Sequence, residues 1–225
     1  MTTKIVRVAV VAALLYAARR YFRNWGTTKD ECRMTLLGDE LVGSPAVQTT
    51  EAVWINASAD SVWPWLVQMG QDRGGLYSYE TLENLVGLGY HNADRIHPEW
   101  QSLVAGDEMR LVPKGWMGLR EGVTMRVVEV VEKESLVLRT KAPAPLWDAI
   151  WSFHVIPHWE DRCRLLIRTR TSLRHPGDAL ITELAGPAKA LVTRGILRGV
   201  KRRAEGQAQG EAAAAAASSH LRRIN

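Results

Sequence analysis

The sequence predicts an α+β domain in which a curved antiparallel sheet wraps a long C-terminal helix, with two short helices after the first strand. Three observations predict it. Apolar residues alternate with period two in successive runs between residues 107 and 174, they recur at helical spacing from Leu180 to Val200, and two short helix-like stretches follow the first strand-like run. At 225 residues, the chain suits one main domain with extensions.

The first strand is Thr49 to Asn56, rich in β-formers, with Val53 and Ile55 on one face and Ala52 and Trp54 on the other. Ser58 or Ser61 caps the next helix, whose apolar positions Val62, Trp65, Leu66 and Met69 keep helical spacing, with Pro64 acceptable only near its start. Gly70, Gly74 and Gly75 close it. A second short helix runs from Ser78 to Val86 and ends at Gly87 and Gly89. The period then changes to two. Asp107 to Val112 is a strand, and Val123 to Val131 and Leu136 to Lys141 form a hairpin. Trp147 to Ile156 pairs with Arg164 to Arg174 across Glu160-Asp161-Arg162. In the last strand Leu165, Ile167, Thr169, Thr171 and Leu173 form the covered face, and Arg164, Arg168, Arg170 and Arg174 a wet, basic one. After Pro176-Gly177-Asp178, the stripe Leu180, Ile181, Leu184, Ala188, Leu191, Val192, Leu197 and Val200 lays a helix against the sheet.

The division is therefore 1–25, a basic apolar N-terminal helix; 26–48, a connector over the surface; 49–203, the folded domain; and 204–225, a low-complexity tail with no fixed structure expected. The apolar run Val8 to Ala18 is too short to cross a bilayer, which takes about 20 residues. A membrane-associated or anchoring helix is the first reading, with a cleaved signal and a helix packed on the domain as alternatives; Tyr21, Phe22 and Trp25 beside arginines suit an interface. A cytoplasmic location follows, with attachment to the inner face of the plasma membrane.

The formal net charge of +5 belongs to the ends. Residues 1–26 hold five basic groups and no acid, and residues 194–225 hold seven against two acids, which leaves 17 basic and 22 acidic groups between them. An acidic body with basic ends fits an anionic membrane surface and argues against nucleic acid. Cys32 and Cys163 are far apart and form no metal or redox motif. His91 and His97 around Asp94, and His154 with His158, match no common metal pattern, so neither metal nor cofactor is expected.

Several motifs together resemble a known family. They are Val62-Trp63-Pro64-Trp65-Leu66-Val67-Gln68-Met69-Gly70, Arg73-Gly74-Gly75-Leu76-Tyr77-Ser78-Tyr79-Glu80, Leu82-Glu83-Asn84-Leu85, His91-Asn92-Ala93-Asp94-Arg95-Ile96 and Gly106-Asp107. Across Trp25 to Arg203 the chain resembles the START-like superfamily, also called SRPBCC, and within it a group of bacterial members. The resemblance implies the helix-grip fold and an internal cavity for a small hydrophobic ligand, and it leaves the activity open because the fold hosts many.

A bent sheet closing on one helix leaves a gap that takes apolar ligands. The expected lining is Trp54, Trp65, Met69, Tyr77, Tyr79, His91, Met125, Trp147, Trp151, Phe153 and Thr169, with Trp54, Trp147, Trp151 and Phe153 on the inner face. Three functions remain open: a non-catalytic carrier of a lipid, polyketide-like or isoprenoid molecule; a cyclase- or dehydratase-type enzyme moving protons through Tyr77, Tyr79, His91 or Glu80; and a membrane-surface or protein interaction module. No nucleophile, base and orienter occur in a recognisable set, which favours binding over catalysis.

Overall fold

The computed structural model describes residues 23–141, 147–173 and 178–224, together with positions 6, 7, 10, 13, 14 and 17. Most of the expected N-terminal helix lies outside the described residues. Those six positions are helical, and Val6, Val10 and Leu14, spaced by four, are exposed. Among the described residues no helix is long and apolar enough to cross a membrane.

Thr28 caps the short helix α1 (Lys29–Arg33) in a reciprocal box with Glu31, and a 3-10 turn follows at Asp39–Val42. Strand β1 (Val47–Ile55) leads to α2 (Ala59–Val67), capped by Ser58, and α3 (Glu80–Leu85). Pro64 stands deeper in α2 than expected, and the carbonyl its missing N–H would have served belongs to the exposed Asp60. Strands β2 (Glu108–Val112), β3 (Val123–Val131), β4 (Ser135–Thr140), β5 (Trp147–Trp159) and β6 (Arg162–Leu173) precede the long helix α4 (Asp178–Ile224).

The sheet is antiparallel throughout, in the order β1-β6-β5-β4-β3-β2. Register shifts at Arg110/Val112, Val127/Glu129 and Pro157/Trp159 add the bends a closing sheet needs. Ile196, Leu197, Val200 and Ala204 of α4 share one core with Val62, Trp65, Leu66 and Met69 and with the sheet residues Leu165, Ile167 and Phe153. The six-stranded antiparallel sheet and the long terminal helix are those of the helix-grip fold, as expected.

Three expectations are corrected. The tail beyond residue 203 is helical to Ile224 rather than unstructured, since its alanines are the strongest helix formers and simply extend α4. Trp54 lies on the outer face, because it pairs with Arg164 in the register that sets Ile55 opposite Cys163. It is 38% exposed and is covered by the guanidinium groups of Arg162 and Arg164, at 4.4 and 5.0 Å from its ring. The basic face of β6 is not wet. Arg164 and Arg168 are buried under the 29–43 segment, with Arg164 Nε 2.8 Å from Glu31 Oε1 and Arg168 Nη1 2.5 Å from Asp39 Oδ2.

Candidate functional site

The inner face of the sheet is fixed by register. One row across the strands consists of Glu51, Ile167, Phe153 and Leu136, all at or below 2% exposure. The next row consists of Thr49, Thr169, Trp151 and Leu138. Leu138 is buried, whereas Thr49, Thr169 and Trp151 are half-buried although they lie within the sheet's concave side. In the row beyond, Thr171 and Ala149 are buried and Val47, opposite Thr171, is half-buried. Solvent therefore reaches the inner face at Thr49, Thr169 and Trp151 and again at Val47, on the side of the closed row nearer the start of β1. Met125, opposite Met109 and Thr140, continues the apolar lining towards β2.

Of the expected lining residues, Trp151, Phe153, Thr169 and Met125 are on this face. Trp147 begins β5 opposite Leu173. Trp65 and Met69 are buried around α2. Trp54 is on the opposite side of the sheet.

The loop after α2 turns between Gly70 and Gly75, which bridge one another. Tyr77 follows in the left-handed region, at φ 60°, and is 1% exposed. Burial raises its pKa against the opposing pull of the Gln68 side chain beside its hydroxyl. Its ring meets Trp65 edge-on at 5.7 Å and lies 4.6 Å from the Arg203 guanidinium. Gly199 and Gly195 of α4 admit this segment, since a Cβ at Gly199 would collide with the Tyr77 carbonyl and one at Gly195 with Ser78. Tyr79, in contrast, is 37% exposed.

Glu80 and His91 meet at the surface, with Oε1 3.1 Å from Nδ1 and the His91 side chain 98% exposed. Glu80 also accepts the Asn92 N–H at 2.9 Å, and that bond, with His91 beside it, holds its carboxyl below the usual range. Asn92 Oδ1 in turn accepts the Tyr77 N–H at 2.7 Å. This set fastens the loop. Tyr77 points inward from it, while Glu80 and His91 face water.

Sequence reasoning did not single out Glu51, the one carboxyl in the closed row. It is 2% exposed, and burial raises its pKa from 4.5 to about 7 against the opposing pull of Thr193, Arg194 and Lys189. The Thr193 hydroxyl sits within hydrogen-bonding reach of Glu51 and also donates to the Lys189 carbonyl at 3.0 Å. The signal of Glu51 in the sequence was parity: it shares the face of Val53 and Ile55. The same row-counting finds Thr171, 2% exposed, whose hydroxyl has no partner among the described residues.

On the outer face a cleft of about 300 Å³ is lined by Arg33, Asp39, Glu40, Arg168 and Arg170, among others. Two of its three arginines are engaged: Arg168 by Asp39 and the Met34 and Glu31 carbonyls, and Arg170 by the Val42 carbonyl. Among the described residues no three His, Cys, Asp or Glu side chains are placed to hold a metal.

No family model matches the chain, and no curated protein does. Solved structures do. Truncated norcoclaurine synthase from Thalictrum flavum aligns at 18% identity and a TM-score of 0.42, over 68% of this chain and 91% of that one. Protein MLL2253 from Mesorhizobium loti aligns at 13% and 0.41, over 69% and 98%. A conserved protein from Geobacillus kaustophilus aligns at 11% and 0.43, over 70% and 95%.

Proposed function

We propose that the chain binds and carries a small hydrophobic molecule between the inner face of its sheet and α4, without chemistry. The observation that carries this reading is the half-buried row of Thr49, Thr169 and Trp151, which borders the closed row of Glu51, Ile167, Phe153 and Leu136 on the same concave face. A largely apolar face that solvent reaches beside a closed core suits a guest that replaces that solvent. Native mass spectrometry of gently purified protein is expected to show an apolar adduct that denaturation releases. Thr169→Trp, which fills the row, is expected to abolish the adduct while the protein stays folded. A bare mass for the unaltered protein, together with no uptake of any added apolar probe, would overturn the reading.

A second reading, a cyclase- or dehydratase-type enzyme, draws on Glu51, whose pKa near neutrality suits proton transfer. It separates from carriage in one experiment: Glu51→Gln would then keep the guest and lose turnover.

We also propose that residues 1–25 hold the domain at an anionic membrane surface. The exposed stripe of Val6, Val10 and Leu14 and the basic ends support it. Deleting residues 1–24 is expected to move the protein from the membrane to the soluble fraction, and an unchanged distribution would refute it.

A further inference from the structure

The N-terminal segment joins the domain through residues 23–27, which are fastened along the outward edge of β1. Arg23 Nη2 donates to the Gln48 carbonyl at 3.0 Å, and Asn24 Oδ1 accepts the Thr50 N–H at 2.9 Å. The Trp25 carbonyl accepts the Ala52 N–H at 3.0 Å, and the Thr27 hydroxyl donates to the Thr50 carbonyl at 3.2 Å. The half-buried Trp25 ring also lies against α4, with the guanidinium groups of Arg194 and Arg198 at 5.2 and 5.1 Å. The junction is therefore tied to β1 and to α4 at once.

Residues 186–204 of α4 hold six basic side chains and no acid. Three of the six are engaged within the protein: Arg203 with Tyr77 and the Ala93 carbonyl, Lys201 with Glu205 and the Trp54 carbonyl, and Arg194 buried near Glu51. Arg198 and Arg202 are exposed, and neither forms an ion pair with a carboxylate among the described residues. They stand one turn apart on one face of α4, where like charges disfavour a helix. Leu191, seven residues before Arg198 and so on the same face, is 37% exposed.

We infer that this face of α4, with Arg23 and Trp25 beside it, docks on an anionic lipid bilayer, so that the folded domain touches the membrane as well as residues 1–25. The inference rests on the membrane reading of residues 1–25 and adds a second contact to it. Unpaired guanidinium groups match the phosphates of lipid head groups. A nucleic acid offers phosphates too, but it has no use for the apolar groups that meet at this place: Leu191, the Trp25 ring, and the exposed Val6, Val10 and Leu14 of the segment that enters here. A tryptophan among arginines beside apolar side chains is the composition of a membrane interface. The charge of the rest of the chain sets the orientation. Residues 27–193 hold 17 basic and 22 acidic groups, so an anionic surface repels the body and attracts this face.

Co-sedimentation of the full chain with phosphatidylcholine vesicles, with and without an equal share of phosphatidylglycerol, tests the inference. The double variant Arg198→Gln/Arg202→Gln is expected to weaken binding to the phosphatidylglycerol vesicles about tenfold or more, since each cation near an anionic surface is worth about fivefold. Arg202→Gln alone, which leaves both arginines at Trp25 in place, should weaken it about fivefold. Arg120→Gln/Arg126→Gln removes the same charge from exposed positions by β3, at the other end of the sheet from β1, and should weaken it less than about threefold. Binding to plain phosphatidylcholine, which the arginines do not serve, should be the same for every variant, and the differences should vanish in about 1 M salt, where charges reach only about 3 Å. No weakening by Arg198→Gln/Arg202→Gln, or equal weakening by the distant pair, overturns the inference and leaves anchoring by residues 1–25 standing. Tighter binding to duplex DNA than to the phosphatidylglycerol vesicles, lost in the same double variant, also overturns it. Binding to neither kind of vesicle defeats the membrane reading itself.

Discussion

The two faces of the sheet invert the usual association of polarity with function. The outer face is the more polar, with Arg164, Arg168, His154, Ser152 and Thr50 all buried in it, and the 29–43 segment covers its arginines. These groups find partners within the protein: Arg168 with Asp39 and Thr50, Arg164 with Glu31, and His154 between Ser135 and Ser152 at 2.9 Å each, while Asp39 Oδ1 accepts no hydrogen bond and lies 3.3 Å from Arg170 Nη1. The inner face is the more apolar, yet the buried Thr171 hydroxyl on it has no partner among the described residues, and solvent reaches Thr49, Thr169 and Trp151. A buried network that is satisfied holds structure together. Polar groups left wanting partners mark the place where something else is expected to bind.

The largest expected effect is on the closed face. Asp39 accepts from Arg168 and from the Leu36 N–H, and pairs with Arg170 at 3.3 Å. Asp39→Ala strands a guanidinium that is 1% exposed, and about 3–5 kcal/mol of stability should be lost in chemical denaturation. Replacing both partners, with Asp39→Leu and Arg168→Met, should recover most of it. A single-variant loss below about 1 kcal/mol would mean that the 29–43 segment merely rests on the sheet.

Next in size is a pH dependence of opposite sign on the two faces. Glu51 has a folded pKa raised from 4.5 to about 7, so the folded state holds the proton more tightly. The stability this confers is complete below pH 4.5 and is lost as pH rises to about 7, a change of about 3 kcal/mol. His154, pushed by burial from 6.5 down to about 4, behaves in reverse. Its neutral form is favoured, so the stability it confers is complete above pH 6.5 and is lost as pH falls to about 4. Glu51→Gln should remove the loss on the alkaline side and His154→Gln the loss on the acid side, measured as melting temperature against pH. If Glu51→Gln leaves the alkaline limb untouched, the carboxyl is not buried as described.

How far this was legible in the sequence follows from what each pattern encodes. Period-two alternation in β6 separated Leu165, Ile167 and Thr169 from Arg164, Arg168 and Arg170 correctly, because side-chain direction is a local property of a strand. It could not say which face is covered. The cover, residues 29–43, has no period of its own, and its acids Glu31 and Asp39 find their arginines more than 120 residues away. Trp54 was assigned to the wrong side for a related reason: aromatic character was weighed above its parity with Ala52. The glycines Gly195 and Gly199 within a helical stripe were the available sign that a loop crosses α4 closely, and Tyr77 is where it crosses. The polar cluster from Tyr77 to His91 was visible as a cluster, but only distances reveal that it ties a loop down.

The smallest expected effect sharpens the comparison between the inner face and that surface loop. His91 is almost fully exposed and touches Glu80, whose second oxygen holds the Asn92 N–H independently. Removing the imidazole therefore leaves the loop's backbone bond in place, and His91→Ala should change stability by less than about 0.5 kcal/mol. It should leave the retained apolar adduct, and the affinity for an added apolar probe, unaltered. The proposed carrier reading puts the guest along Thr169 and Trp151, so on that reading a histidine facing bulk water has no surface to offer it. A His91→Ala protein that stays folded but emerges without its adduct would move the binding site from the concave face of the sheet to the loop that closes with Glu80.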